Sequence, residues 1–342
     1  MRGNALATET ERIVRFHQIG PPEVLQLDQL PIPQPIEGEI RLRVKAIGLN
    51  RAETHFRQGR YRFVPKLPSK IGYEASGIVE AVGPGVDPSW LGKTASTVPA
   101  FPADTYGVYG EVAVVPVNSV AEYSARLSYE EGASIWMQYL TAYGALIHEG
   151  NLASGDFVII TAASSSVGLA AIQIAKLQGA ISIATTRTVR KKAELLAHGA
   201  DHVIVTDEEN LPHRVKAITE GKGARIAFDP IGGKGLLDLA AAAAESGIIL
   251  EYGILADELT PYPLSTALSK HLTIKAYTLF EVVSNPDEFP EEFLKAKQYV
   301  LDHLANGDFR PTIGKMFSLS NIVDAHRYME SNAQIGKIVV TV

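Results

Sequence analysis

The chain has 342 residues, 46% hydrophobic and 20% charged, which is ordinary for a globular protein and long enough to favour two domains over one. A net charge of −6 argues against a nucleic-acid partner, and no run approaches the roughly 20 apolar residues that span a bilayer. There are no cysteines, so disulfides, thiolate chemistry and sulfur-based zinc sites are excluded; the nine histidines show no H-E-x-x-H spacing, and no metal site is expected.

In chain order, the opening MRGNALATETER lacks the apolar stretch of a signal peptide, and the expected location is cytoplasmic. Up to about residue 130 the chain reads as irregular antiparallel β structure. EIRLRVKAIGLN and GEVAVVPVNSV are strand-like, with Gly and Pro punctuating the segments between them. From Asp156 to Tyr277 the grammar changes: short apolar, β-branched runs alternate with helical patterns. The predicted strands are Phe157–Ala162, Ile181–Thr185, Val203–Val205, Arg225–Asp229, Ile248–Tyr252 and Leu272–Tyr277. The predicted helices stop at Gly179, Gly199, Gly221 and Gly247; in the first, Val167, Ala171, Ile174 and Ala175 recur at helical spacing. Such alternation gives right-handed crossovers and a parallel sheet covered on both faces, and six strands suffice for a complete dinucleotide-binding fold. The remainder, 285–342, mixes the helix EEFLKAKQYVLDHLANG with short strands and ends GKIVVTV.

The first of the six strands runs into TAASSSVGLAAIQIAKLQG, where a dinucleotide fingerprint would place three glycines. Aligned on the last of them, Ala163, Ser165 and Gly168 take those positions. Gly168 allows the helix to pack closely, and Ser164, Ser165, Ser166 and Val167 open the helix where free N–H groups bind a pyrophosphate. Read in isolation, a serine-rich turn equally well just caps a helix. The second strand is more discriminating. An NAD site presents Asp or Glu there for the ribose 2′-hydroxyl, but this strand ends ATTRTVRKKAE. Thr186, Arg187 and Lys191 would welcome a 2′-phosphate, which a carboxylate would repel, so the predicted cofactor is NADPH.

The pieces GPPEVLQL, GLNRAETHFRQGRY (48–61), KIGYEASGIVEAVGPGV (70–86), GVYGEVAVVP (107–116), QYLTAYGAL (138–146), AASSSVG, GADHVI (199–204), DPIGG (229–233) and GKIVVTV follow one another across nearly the whole chain. In that order they resemble the zinc-independent quinone oxidoreductase branch of the medium-chain dehydrogenases, which includes enoyl reductases. The resemblance implies an α/β chain in which a Rossmann doubly wound parallel sheet (132–277) interrupts a GroES-like, mainly β catalytic domain (1–131 and 278–342). It implies hydride transfer from NADPH to a small-molecule acceptor, a quinone or an activated C=C bond, and a homodimer. Carbonyl reduction and cofactor binding without turnover stand as the alternatives. The catalytic zinc ligands of the zinc-dependent relatives would fall on Asn50, Tyr73 and Met137, none of them a usual zinc ligand. By the same resemblance Tyr61 is a candidate proton donor, Asn50 lies beside the nicotinamide and His55 lines the pocket. Thr141, Gly253 and Lys337 are further expected cofactor contacts, Lys337 on its phosphate side. Tyr106 and Tyr109 are placed at the substrate entrance, and Arg60, Arg62 and Lys66 make either an anion-attracting loop or a merely solvated one.

Overall fold

The computed structural model describes residues 9–283 and 290–342. The chain divides into two compact units, Met1–Met137 with Ile313–Val342, and Gln138–Thr312. The strands of the first stretch are β1 (Thr10–Phe16), β2 (Leu25–Pro31), β3 (Glu39–Gly48), β4 (Ser69–Lys70), β5 (Glu74–Val82), β6 (Thr94–Thr97), β7 (Val112–Pro116) and β8 (Val120–Glu122). The second unit contributes β9 (Phe157–Ile160), β10 (Ile181–Thr186), β11 (His202–Val205), β12 (Ala224–Asp229), β13 (Ala243–Glu251) and β14 (Thr273–Ala276). The chain then returns to the first unit with β15 (Ile313–Ser318) and β16 (Lys337–Thr341).

In the first unit β3 is the hub. One edge pairs with β5 along its length; the other is shared by β7, opposite Glu39–Arg43, and β16, opposite Ala46–Gly48. Its side chains alternate as the pleat demands. Ile40, Leu42 and Val44 are buried, whereas Arg41 and Arg43 stay partly exposed and reach Glu80 of β5 at 2.7 and 2.9 Å. A smaller sheet in the order β2-β1-β4 completes the unit. Where β3 ends, a Cβ on Gly48 would fall 1.9 Å from the Ala133 carbonyl oxygen and 2.8 Å from Lys337 Cε, so only glycine lets these segments close up.

The second unit is a six-stranded sheet, parallel throughout, in the order β11-β10-β9-β12-β13-β14. The chain therefore builds outward from β9 and then restarts on its other side, and the crevice between β9 and β12 is the switch point at which such sheets bind ligands. Ile159, Ile183, Ile204, Ala227 and Ile249 of the strands pack with Leu211, Val215, Leu236 and Leu239 of the covering helices. Each such fully buried Leu or Ile is worth about 1.5–3 kcal/mol.

Two expectations differ from the structure. The alanine-rich stretch reads as helix up to Gly247, yet the helix is Gly235–Ala242 and β13 begins at Ala243. Tertiary pairing overrides alanine's helix propensity: Ala243 lies opposite Ala224 of β12, and Lys270 Nζ caps the helix end by donating to the carbonyls of Ala241 and Ala243 at 2.6 and 2.7 Å. The second difference is the return point, drawn at 278 from the sequence and found at 313. Phe309 stacks on Tyr139 with centroids 4.5 Å apart, Tyr299 meets Tyr143 at 4.7 Å, and the Gln173 side-chain amide donates to the Arg310 carbonyl and accepts from the Arg310 N–H. These contacts fasten the helix Pro290–Asn306 and the segment after it to the second unit. Among the described residues no helix is long and apolar enough to cross a membrane.

Candidate functional site

In the second unit the residues singled out from the sequence gather at the carboxyl ends of β9 and β10. The turn after β9 carries Ala162 at φ 44°, a left-handed conformation in a non-glycine residue. Ser165 caps the helix Ser166–Leu177, its Oγ accepting from Gly168 N at 3.0 Å. A Cβ on Gly168 would lie 2.5 Å from the Ala163 carbonyl oxygen and 2.6 Å from its Cα, so this glycine seats the helix against the turn. Ser164, Ser165, Ser166 and Val167 are half-buried, which leaves the helix start accessible. Lys191 reaches across from beyond β10 and donates to Ser164 Oγ at 3.1 Å. Thr186 ends β10 buried, and Arg187 next to it is exposed. Burial, and then the nearby Arg187 charge, hold the Lys191 ammonium below its ordinary range. Two crowded cations beside a helix N-terminus form a donor set for an anion, and a phosphate placed there would relieve their repulsion. The expected residues Thr186, Arg187 and Lys191 are thus brought to one place with the serine turn.

Gly253 follows β13, where a Cβ would lie 2.7 Å from the Pro230 carbonyl oxygen. Thr141 is buried in the helix Trp136–Tyr143. Sequence reasoning missed the acids beside Gly253. Asp229 ends β12 and Glu251 ends β13, paired in register. Asp229 accepts hydrogen bonds from the Thr161 hydroxyl and from Gly232 N. Burial and the Asp229 charge push the Glu251 carboxyl up to about 8. Their signal lay in the strand order, because ends of neighbouring parallel strands must meet.

The first unit holds a second assembly, closed on itself. Asn50 precedes the helix Arg51–Arg57, and its side-chain amide donates to the Gly48 carbonyl at 3.3 Å and to Glu53 at 3.4 Å. Its Oδ1 accepts from Lys337 Nζ at 2.6 Å. Lys337 also pairs with Glu74, whose other oxygen accepts from the backbone N–H groups of Trp136 and Met137 at 2.8 and 3.0 Å. Glu53, fully buried, accepts from Asn50 N at 2.7 Å, Tyr73 N at 2.9 Å and the Tyr109 hydroxyl. Burial raises the Glu53 carboxyl to about 7, with Tyr109, the Asn50 backbone and Lys337 opposing. Asn50, Tyr73 and Met137, where zinc-dependent relatives would carry ligands, are therefore joined through two carboxylates and an ammonium.

Lys337 is 1% exposed, in the interior of the first unit, and bound to Glu74 and Asn50. The geometry corrects one expectation. Tyr109, placed from sequence at an entrance, is buried and bonded to Glu53; Tyr106 donates to Glu39 at 2.9 Å. Glu53 was not anticipated, although an acid three residues beyond a helix-capping Asn is a recognisable capping signal.

Tyr61 packs edge-on against Phe56 and Phe63, with centroids at 6.4 and 5.8 Å. Burial pushes its hydroxyl up to about 12, an effect moderated by interaction with the Tyr73 hydroxyl. It is a phenol that keeps its proton at neutral pH. His55 is half-buried, and burial followed by the charges of Arg60 and Arg51 holds its imidazole below the ordinary range. Arg60, Arg62 and Lys66 are all exposed.

Residues 36–125 match the alcohol dehydrogenase GroES-like domain family, and residues 166–297 match the zinc-binding dehydrogenase family. Human quinone oxidoreductase is 30% identical over 335 residues, covering 96% of this chain and 97% of its own. A crystal structure of Escherichia coli quinone oxidoreductase complexed with NADPH is 29% identical, with a TM-score of 0.87 over 97% of this chain and 100% of that one. A crystal structure of an NAD-dependent alcohol dehydrogenase is 30% identical, also with a TM-score of 0.87, over 97% and 99% of the two chains. With Asn50, Tyr73 and Met137 in place of zinc ligands, the chain belongs to the zinc-independent quinone oxidoreductase family of the medium-chain dehydrogenases.

Proposed function

We propose that this protein is an NADPH-dependent, zinc-independent reductase that transfers hydride to a quinone or an activated C=C bond. The observation that carries the reading is the basic end of β10 beside the serine turn: Arg187 and Lys191 crowd one another there, with Lys191 seated on Ser164. Gly168 and the capped N-terminus of the helix Ser166–Leu177 accommodate a pyrophosphate, and Arg187 and Lys191 distinguish a 2′-phosphate from a hydroxyl. When bound, the cofactor supplies the hydride from C4 of its nicotinamide. Conjugated acceptors delocalise the resulting charge onto oxygen, so no Lewis acid is required of the protein. Tyr61 holds a proton at its hydroxyl for the reduced acceptor, and Asn50, fixed by Lys337 and Glu53, is a positioning residue.

The likeness to an NAD-dependent alcohol dehydrogenase makes carbonyl reduction the second reading. We also infer a homodimer built on β14, the last strand of its sheet, next to which Tyr262, Leu264 and Leu268 are 58–66% exposed. Light scattering on the purified protein tests the dimer.

The decisive experiment follows NADPH absorbance with a quinone, an enone and an aldehyde, repeated with NADH and with a chelator. Chelator-resistant oxidation of NADPH by the quinone or enone is expected. Turnover of the aldehyde alone supports carbonyl reduction. Binding without oxidation of any acceptor supports a cofactor-binding protein instead, and equal efficiency with NADH would remove the phosphate-binding role of Arg187 and Lys191.

A further inference from the structure

Asp229 and Glu251 end adjacent strands on the side of the switch point away from Arg187 and Lys191. A dinucleotide whose 2′-phosphate is held at the end of β10 crosses the Ser164–Gly168 turn with its pyrophosphate. Its other half then falls over β12 and β13, since the two halves of such a sheet each receive one mononucleotide. The nicotinamide half therefore meets the end of the sheet that carries the two acids. This step rests on the dinucleotide reading above.

The two carboxyls differ in how they are held. Asp229 is 1% exposed and accepts hydrogen bonds from the Thr161 hydroxyl and, at 2.7 Å, from Gly232 N. Glu251 Oε1 is buried with no hydrogen-bond partner among the described residues. The other charges nearby are committed elsewhere. On β14, Lys275 is bound to Glu149 at 2.7 Å and Glu281 at 3.2 Å. In the loop after β13, Glu258 pairs with Lys234 at 3.3 Å. Tyr252, the first residue after β13, stacks on Phe228 with centroids 4.0 Å apart. Among the described residues, no Lys, Arg or His forms an ion pair with either carboxyl.

Hydride donation converts a neutral dihydropyridine ring into a cationic pyridinium, with both electrons of the C–H bond leaving with the hydride; every other charge on the dinucleotide is unchanged. An anionic pair at the nicotinamide end thus acts on the difference between the two redox forms. We propose that Asp229 and Glu251 form one acidic pair that favours the oxidised over the reduced cofactor, and that they do so more strongly as the pair loses its shared proton. With Glu251 raised to about 8 by burial and by Asp229, the Glu251 carboxyl keeps its proton at neutral pH and adds its negative charge to the site only above about pH 8. The sign follows: oxidised cofactor stabilises the charged Glu251 and releases a proton on binding, whereas reduced cofactor does not.

The test is calorimetric titration of the whole protein with NADP⁺ and with NADPH at about pH 6.5 and about pH 9. The ratio of the NADPH Kd to the NADP⁺ Kd is expected to rise about tenfold between the two conditions, a Coulomb effect of one added charge at partial screening. In Glu251→Gln, which keeps the shape and cannot ionise, the ratio is expected to stay flat. Titrations near pH 8 in two buffers of different ionisation enthalpy read proton release directly, independently of how well the variant folds. A pH-independent ratio in the wild-type protein, or an undiminished rise in Glu251→Gln, would overturn the proposal while leaving the cofactor reading intact. Binding of neither nucleotide would overturn both.

Discussion

The two units hold their clustered charges in opposite ways. In the first, Lys337, Glu74, Asn50, Glu53 and Tyr109 bond to one another and to backbone N–H groups, and the assembly turns no charge outward. In the second, Arg187 and Lys191 crowd each other beside an accessible helix N-terminus, and two carboxyls meet at the ends of β12 and β13. A self-satisfied network defines a scaffold; like charges held together define a place where a ligand of complementary charge gains free energy. Lys337, which the family resemblance assigns to the cofactor, is bonded within the first unit's network.

Opening the closed network has the largest expected effect. Lys337→Ala leaves Glu74 buried without its cation, and a loss of about 3–5 kcal/mol in urea unfolding is expected. Lys337→Met with Glu74→Gln removes both charges, keeps the volume and leaves an oxygen to accept from Trp136 and Met137. Most of the loss is then recovered if the pair is structural. Persistent loss of NADPH affinity in that stable double variant would instead return Lys337 to the cofactor.

Glu53 gives the next largest effect, read through pH. Its folded value of about 7 lies above the 4.5 of an unperturbed glutamate. A raised acid contributes stability that is fully present below pH 4.5 and is lost as pH rises through 7. The loss amounts to about 3 kcal/mol for a fully buried group at 1.36 kcal/mol per unit. Glu53→Gln cannot ionise, so the difference in unfolding free energy between wild type and variant is expected to move in the variant's favour from pH 5 to pH 8. A constant difference over that range would show that Glu53 does not titrate there.

The contrast also explains what was legible in the sequence. The parallel strands announced themselves because each is a short local run, the first five predicted ones preceded closely by a glycine, and the serine turn and basic strand end are contiguous in the chain. The closed network was invisible for the opposite reason. Asn50 and Lys337 are 287 residues apart, Glu74 and Met137 are 63 apart, and no local pattern records that they meet. GKIVV identified a strand but not which way its lysine faces. The Ala240–Ala244 run misled because alanine's helix preference is weak against a strand partner such as Ala224. Asp229 and Glu251 fall between these cases, since the order of strands implies their meeting and only their burial needed the fold.

In the second unit, Arg187→Ala with Lys191→Ala is expected to weaken NADPH binding about 100-fold, corresponding to two charge-assisted contacts discounted for exposure, while NADH binding changes little. Fluorescence titration with both nucleotides checks it. An equal loss for NADPH and NADH would mean that the cations serve the pyrophosphate and not the 2′-phosphate. The smallest effect belongs to Gly168→Ala. The added methyl would lie 2.5 Å from the Ala163 carbonyl oxygen, which is backbone and cannot swing aside, so the helix start must move. A cost of about 1–2 kcal/mol in stability is expected, together with weaker binding of NADPH and NADH alike, because the displaced N–H groups face the pyrophosphate common to both. That shared loss separates the turn from the strand end: one recognises any dinucleotide, the other its phosphate. If Gly168→Ala instead lowered affinity for NADPH alone, the serine turn and the basic pair would form a single phosphate site through Lys191 and Ser164, and the division of labour between them would fall.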